Sequence, residues 1–242
     1  MIRPKTDIAL AAVILLGIFT AATNALAVPT LRLTDVTSGT SAEIVDDTGD
    51  DARNADAGIV LFDGNMGIFD IQVTLGGTKP ALGSAEKPLM RVDNFSISFN
   101  SSASGAQELK VEFSETDYVG SGRTDFATTI GGSSSGSPTV TSQGYMDTSN
   151  ALFGTAGATQ IHDFGPLSGA ITGRTFTQVA FDETTPYSLT QVMTIRGSAG
   201  DTISFDQVIQ VPAPITLALL GTGLIGLGVA SRRYSGAMRC PA

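Results

Sequence analysis

Cysteine, histidine and tryptophan are nearly missing from this chain of 242 residues, which has one Cys, one His and no Trp. A single cysteine cannot form an internal disulfide, and a single histidine cannot supply a histidine-rich zinc site, so disulfide-stapled scaffolds and most transition-metal enzymes are excluded. Basic residues are also scarce, because 14 Lys and Arg stand against 23 Asp and Glu, for a net charge of −9. Since an acidic surface repels a phosphate backbone, we expect no nucleic-acid partner.

The N-terminus has the features of a secretory signal peptide. A start with two basic residues is followed by an apolar run over residues 8–22. Ala25 and Ala27 then flank a larger residue, which is the pattern that signal peptidase reads. We therefore expect a signal-peptide helix in residues 1–27 and cleavage by signal peptidase before Val28. The alternative is an uncleaved membrane anchor.

The C-terminus combines a proline motif, an uncharged apolar run and a pair of arginines. The motif consists of Val211, Pro212, Ala213 and Pro214. The run over residues 215–230 would form a helix of about 24 Å, which is short but plausible for a transmembrane helix. Arg232 and Arg233 follow it directly and would hold that end on the cytoplasmic side, which places the preceding domain outside the cytoplasmic membrane.

These ordered features resemble the sorting tail of PEP-CTERM proteins, which are exported proteins of Gram-negative bacteria handled by an exosortase. Residues 211–242 would form this tail, with Ala213 in place of the glutamate that the family usually has in its motif. The resemblance implies export, transient anchoring in the cytoplasmic membrane, removal of the tail by an exosortase-type enzyme, and a final place at the cell surface or outside the cell. It also implies an exopolysaccharide or biofilm context.

Residues 28–210 show the two-residue period of β-strands. Apolar and polar residues alternate over residues 69–75, 95–99 and 109–113, which puts the apolar side chains on one face of a sheet. Further strands are predicted in six other segments, namely residues 30–36, 58–62, 123–130, 176–181, 188–195 and 202–211. Glycine-rich and proline-containing turns separate these runs, and no stretch has a sustained helical period.

The pattern predicts an all-β exodomain in which two antiparallel sheets bury their apolar faces against each other. We expect a jelly-roll-like β-sandwich, with a closed barrel as the alternative. Residues 131–144 are dominated by Gly and Ser and predict a flexible loop or a boundary between two halves of the sandwich.

A cluster of acidic residues gives the one candidate metal site. It comprises Asp46, Asp47, Asp50, Asp51 and Asp56. Calcium is bound by six to eight oxygens, which carboxylates on one loop can supply, but the spacing is not that of an EF-hand. A solvated acidic loop is the favoured interpretation, structural Ca²⁺ is the alternative, and no other cofactor is expected.

Catalytic residues are not evident. Glu112, Glu115 and Asp117 would suit a glycoside hydrolase, as would Asp182 and Glu183, but Glu112 lies opposite the apolar residues of its strand and is predicted to be exposed. The aromatic platform for sugar stacking is thin, since tryptophan is absent and Tyr118, Tyr145 and Tyr187 are the tyrosines of the body. His162 has no serine motif beside it, which favours a surface or hydrogen-bonded histidine over a catalytic base.

Three functions remain in order of preference. The first is a non-enzymatic exported protein of the cell surface or extracellular matrix. The second is a module, with or without calcium, that binds a carbohydrate or a protein. The third is a glycoside hydrolase. The two ends hold five basic residues and one acidic residue, so residues 28–210 hold 9 basic and 22 acidic residues, a net charge of −13.

Overall fold

The computed structural model describes residues 27–53, 55–100, 104–120, 123–180 and 185–212. All regular structure in these residues is β-strand, and none of them forms a helix that is long and apolar enough to span a membrane. The predicted signal-peptide helix before residue 27 and the predicted transmembrane helix at 215–230 lie outside the described residues, as do Ala25, Ala213 and the residues after it.

Twelve strands are present. In chain order they are β1 (Thr30–Asp35), β2 (Thr40–Val45), β3 (Ile59–Met66), β4 (Phe69–Gly77), β5 (Leu89–Phe99), β6 (Gln107–Tyr118), β7 (Arg123–Ser135), β8 (Thr139–Asp147), β9 (Thr159–Leu167), β10 (Ala170–Ala180), β11 (Tyr187–Gly197) and β12 (Thr202–Gln210).

The strands form two six-stranded sheets in which every pairing is antiparallel. The first sheet has the order β2-β1-β6-β11-β8-β9, and the second has the order β10-β7-β12-β5-β4-β3. Strands β5 to β12 follow the order of an eight-stranded jelly roll, in which every connection except the one from β8 to β9 crosses to the other sheet. Strands β1 to β4 widen the two sheets on one side. The predicted antiparallel β-sandwich is confirmed, and the closed barrel is wrong because two separate sheets face each other.

The core between the sheets comes from the apolar half of each alternating strand. Leu109, Val111 and Phe113 of β6 are fully buried, and they face the second sheet. The sheets approach so closely that a Cβ placed on Gly76 of β4 would lie 2.7 Å from the Phe113 ring. The period of two therefore gives each sheet one apolar inner face and one polar outer face.

The predicted loop at residues 131–144 is wrong. Residues 131–135 complete β7, and residues 139–144 begin β8, so that only the turn between them is irregular. The reason is that β7 lies between β10 and β12 and its backbone is hydrogen-bonded on both sides. Pairing on both edges outweighs the low strand propensity of Gly and Ser. The pattern also missed β2 and β9, which are edge strands with mostly exposed side chains.

Both ends of the described chain leave the sandwich at the same end, which we call the exit end. Thr30, at the start of β1, pairs with Ser114 near the end of β6. Gln210, at the end of β12, pairs with Leu89 at the start of β5. The segment before β5 connects the two sheets here, since Ala85 accepts a hydrogen bond from the Val119 amide after β6.

Candidate functional site

The acidic loop lies at the exit end between β2 and β3. Asp46 is buried, and its Oδ2 accepts a hydrogen bond of 2.6 Å from the Gly58 amide. Burial raises the pKa of Asp46, and the Gly58 hydrogen bond partly offsets this effect. Asp51 is also buried, and its Oδ1 accepts hydrogen bonds from the amides of Arg53 and Leu61. Two of the five predicted ligands thus bind the backbone of their own loop.

The other three members of the acidic cluster face outwards. Asp47 and Asp50 are exposed, and Asp56 forms an ion pair of 2.9 Å with Arg53. In the part of the chain that the structure describes, no three His, Cys, Asp or Glu side chains are grouped in a way that would hold a metal ion. The calcium site therefore stays a prediction, and the loop geometry supports the role of Asp46 and Asp51 as backbone acceptors.

Glu112 was predicted to be exposed, and that prediction is wrong. Its side chain points to the outer face of the first sheet, as expected, but only 4% of it is exposed. Arg32 on β1 binds its Oε2 at 2.7 Å, and Lys110 binds its Oε1 at 2.8 Å. Burial would raise the pKa of Glu112, but the hydrogen bonds from the two cations outweigh it, so the pKa lies below its ordinary value.

A loop covers this part of the first sheet. Residues 148–158, which we call the cover loop, connect β8 to β9 across its outer face. The Phe153 amide donates to Ser114 Oγ at 2.9 Å, and Ser188 Oγ donates to the Ala151 carbonyl at 2.7 Å. The Arg32 guanidinium lies 3.9 Å from the centre of the Phe153 ring. Glu112 is therefore enclosed by two cations, and one of them, Arg32, contacts the loop.

Glu115 points the other way, into the interior, because three positions along a strand reverse the face. Its carboxylate is fully buried and accepts hydrogen bonds from Thr78 Oγ1 at 2.6 Å and from the Tyr118 hydroxyl at 2.5 Å. Lys79 Nζ lies 3.0 Å from its other oxygen. Burial raises the pKa of Glu115, and these partners offset part of the increase. The network ties the segment after β4 to β6.

The carboxylates considered for hydrolysis do not converge on one groove. Glu112 and Glu115 lie on opposite sides of the first sheet, and Asp117 exchanges two hydrogen bonds with Asn150 of the cover loop, at 2.6 and 2.9 Å. Asp182 and Glu183 lie outside the described residues. The described carboxylates are thus committed to contacts that hold the fold.

His162 is buried between the sheets. Its Nε2 lies 3.0 Å from Ser142 Oγ and 2.9 Å from the Gln207 side-chain amide of the second sheet, and Ser142 Oγ donates to Gln207 Oε1 at 2.6 Å. Burial lowers the pKa of His162 to about 3. The ring is therefore neutral at physiological pH. Ser142 is itself fully buried, so this serine and histidine pair positions the sheets and is closed to substrate.

The outer face of the second sheet has rows of polar side chains, which the sequence patterns did not predict. The strand registers align exposed or half-exposed polar side chains in rows across the sheet. One row consists of Ser135, Thr202, Ser98, Asp70 and Asn65 on five neighbouring strands. At a strand spacing of about 4.8 Å, this row spans roughly 19 Å.

A second row runs beside the first. It consists of Ser133, Ser204, Ser96 and Gln72, again on neighbouring strands. Further along β10, Phe176 is 63% exposed, and the Arg174 guanidinium lies 4.7 Å from its ring centre. We call this surface, from the two rows to Arg174 and Phe176, the hydroxyl face.

Alternation in β5 and β12 was visible in the sequence, and it shows that these serines and threonines point away from the core. What alternation cannot supply is the order of the strands. The rows exist because β12 lies between β7 and β5, which are far from it along the chain. The exposed Phe176 was missed because it belongs to a predicted strand whose apolar residues were assigned to the core.

The end of β12 leads directly into the predicted sorting tail. The Val211 amide donates to the Pro88 carbonyl at 3.0 Å, and Pro212 is the last described residue. A model of the PEP-CTERM protein-sorting motif matches residues 210–233. The chain is a PEP-CTERM sorting-domain protein. Among curated proteins, no match to the chain was found.

The motif bears on how the protein is sorted. The motif marks an exported protein with a membrane-anchoring C-terminal signal, which an exosortase-type enzyme processes. Of the predicted sorting residues, Val211 and Pro212 lie at the exit end, whereas Ala213, Pro214, Arg232 and Arg233 lie outside the described residues. At the other terminus, Ala27 and the exposed Val28 directly precede β1. Both predicted cleavage regions therefore adjoin the same end of the sandwich.

Proposed function

We propose that this protein is a non-enzymatic component of the cell surface or extracellular matrix, delivered by its signal peptide and sorting tail, in an exopolysaccharide or biofilm context. The observation that carries the proposal is the sorting motif, which begins at the last residue of β12. A domain of the jelly-roll type sorted in this way needs no active site to act as a matrix component.

The position of the chain ends supports this proposal. Three residues, Pro212 to Pro214, separate Val211 from the predicted transmembrane helix at 215–230, and extended residues span at most about 3.6 Å each. Before processing, the exit end would thus lie close to the membrane, with the opposite end of the sandwich directed away from it. The open outer face of the second sheet would then stand upright on the membrane and remain accessible.

The non-enzymatic part of the proposal is supported by the chemistry of the described residues. Glu112 and Glu115 are neutralised by Arg32 and Lys79, and His162 is enclosed between the sheets. General acid–base catalysis requires a titratable group within reach of substrate, and these groups are held away from solvent. A binding module for carbohydrate is the second candidate, and it is favoured by the hydroxyl face.

The sorting proposal is tested by expressing the full chain in a Gram-negative host with an exosortase and in the same host without it. We expect release of a shortened protein in the first host and membrane-associated, full-tail protein in the second. Arg232→Glu with Arg233→Glu should abolish release, because it removes the positive charge that orients the tail. Arg239→Glu is the matched control, since it changes the tail outside the matched motif. Equal release from both hosts would refute the sorting proposal.

A further inference from the structure

The hydroxyl face is an open sheet surface with an unusual composition for a protein contact. Protein interfaces have apolar, aromatic-rich centres, and a few such residues supply most of the binding energy. The two rows of the hydroxyl face instead present hydroxyl, amide and carboxylate groups, and the one exposed large apolar side chain on the second sheet's described outer surface is Phe176. The surface is therefore better suited to a partner that is itself rich in hydroxyl groups.

The geometry of the rows suits an extended polymer. Neighbouring groups in a row are about 4.8 Å apart, which is close to the repeat of a sugar ring in an extended glycan chain. Ser133 pairs with Ala170 on β10, and Phe176 lies six residues further along that strand, or about 20 Å. A chain that contacts both the rows and the ring would need several sugar units, so a polymer or a long oligosaccharide fits better than a monosaccharide.

Phe176 supplies an aromatic ring on which a sugar can stack, which neither row contains. An aromatic ring stacks against the C–H face of a sugar, and the adjacent guanidinium donates in a fixed, planar arrangement. Arg174 and Phe176 point to the same side because they are two residues apart on β10. Their contact at 4.7 Å keeps the ring in place on the surface. The pair is therefore preorganised for stacking, which limits the entropy lost on binding.

The carboxylates of the hydroxyl face favour uncharged glycans over anionic ones. Asp70 lies in the first row, and Asp206 lies beside Ser204 on β12. Neither row contains a Lys or Arg, and Arg174 of the hydroxyl face lies away from the rows, beside Phe176. The protein as a whole is also acidic, with a net charge of −9. A polyanionic polysaccharide would be repelled by these carboxylates, but an uncharged one would find acceptors for its hydroxyl groups.

We propose that the hydroxyl face binds an uncharged polysaccharide, with the rows as hydrogen-bonding partners and Phe176 as the stacking residue. This inference rests on the proposed surface function, because export brings the face to where such a polymer lies. It adds the partner's chemical class and the surface that receives it.

The test is affinity electrophoresis of the full chain, purified in mild detergent, in native gels that contain hydroxyethylcellulose, galactomannan, xylan or dextran. Alginate serves as the anionic comparison. We expect retardation by at least one neutral polymer and none by alginate. Phe176→Ala should weaken binding at least fivefold, and Ser204→Ala should weaken it to a smaller extent by removing a hydroxyl group from the second row. Leu152→Ala, which removes an exposed apolar side chain from the cover loop, is the matched control and should bind like the unmodified protein.

Two results would overturn the inference. One is a lack of retardation by all four neutral polymers, or stronger retardation by alginate. The other is a self-associating protein that Phe176→Ala converts to a monomer while glycan binding stays unchanged, which would make the face an interface between copies. Melting temperatures show whether each variant is folded. Because purified protein is used, failure here is distinct from failure of sorting, which the release experiment measures separately.

Discussion

Each outer face of the sandwich has a phenylalanine in contact with an arginine, yet the two pairs have different surroundings. On the first sheet, Arg32 lies 3.9 Å from the ring centre of Phe153, and the cover loop holds that ring over the ion pairs of Glu112. On the second sheet, Arg174 lies 4.7 Å from the ring centre of Phe176, which is 63% exposed. The Phe–Arg pair of the first sheet is thus part of a loop that covers the face, whereas the pair of the second sheet lies on a face that is open to solvent.

This difference between the two faces suggests that the first contributes to stability and the second to binding. Side chains on the first face are held by the cover loop and by ion pairs, so changes there should affect the free energy of unfolding. The hydroxyl face makes few contacts that fold the chain, so changes there should affect binding and leave stability nearly unaltered. Variants on the two faces should therefore differ in which of these two properties they change.

Glu112→Ala should lower the free energy of unfolding by about 2–3 kcal/mol, because it leaves Arg32 and Lys110 without their shared partner on a covered surface. The value is below the usual range for buried pairs, since Arg32 is about one-third exposed. Ser204→Ala on the hydroxyl face is the comparison and should change the free energy of unfolding by less than about 0.5 kcal/mol. Urea denaturation measures both. Similar losses in the two variants would contradict the division.

The interior between the faces should make the protein sensitive to mild acid. Burial lowers the pKa of His162 from 6.5 to about 3, so its contribution to stability is complete above pH 6.5 and is lost as the pH falls towards 3. At pH 5 the expected loss is about 2 kcal/mol. Between pH 7 and pH 5 the Glu112 ion pairs stay intact, because the pKa of Glu112 lies below its ordinary value.

Urea denaturation at pH 7, 6 and 5 checks this prediction. His162→Gln should flatten the dependence on pH over that range, whatever its effect at pH 7. If the variant lost as much stability as the unmodified protein between pH 7 and pH 5, the acid sensitivity would have to come from other groups, and the assignment to His162 would be wrong.

The two phenylalanines give a direct comparison of the faces. Phe153→Ala should destabilise the protein by about 1–2 kcal/mol, because it removes the ring that Arg32 contacts and loosens the cover loop. Phe176→Ala should cost less than about 0.5 kcal/mol, because the ring is mostly exposed. Thermal unfolding of the two variants measures the difference. A larger loss for Phe176→Ala would show that the second face is structural.

The acidic loop should show the smallest effect. Asp46 and Asp51 already accept hydrogen bonds from the amides of their own loop, and Asp56 is paired with Arg53. We therefore expect the melting temperature to be the same in millimolar Ca²⁺ and in chelator. A rise with Ca²⁺ that Asp50→Asn reduces would support the calcium alternative and would assign a ligand-binding role to the exit end.

Much of the sheet structure was predictable because alternation depends only on neighbouring residues. Phe95, Ile97 and Phe99 alternate with serines, and this pattern correctly placed the first set in the core and the second outside. The Gly and Ser residues at 131–135 gave no such signal. They form strand because β10 and β12 pair with them, and that pairing is set by chain segments far away in sequence.

The candidate sites show the same limit. Alternation correctly put Glu112 on the outer side of its strand, but it cannot show that Arg32, Lys110 and the cover loop enclose that side. In the same way, nothing in the order of the acidic residues shows that Asp46 turns inwards to the Gly58 amide. By contrast, the sorting tail was recognisable from sequence alone, because its proline motif, apolar run and arginine pair follow one another directly along the chain.

We propose that the sandwich is the exported product and that the two ends of the chain direct its route. The most direct test is the intact mass of the protein recovered from the culture medium of a host with an exosortase. We expect a product that starts at Val28 and ends before the apolar segment at 215–230. A released product that still begins at Met1, or that retains Cys240, would contradict it.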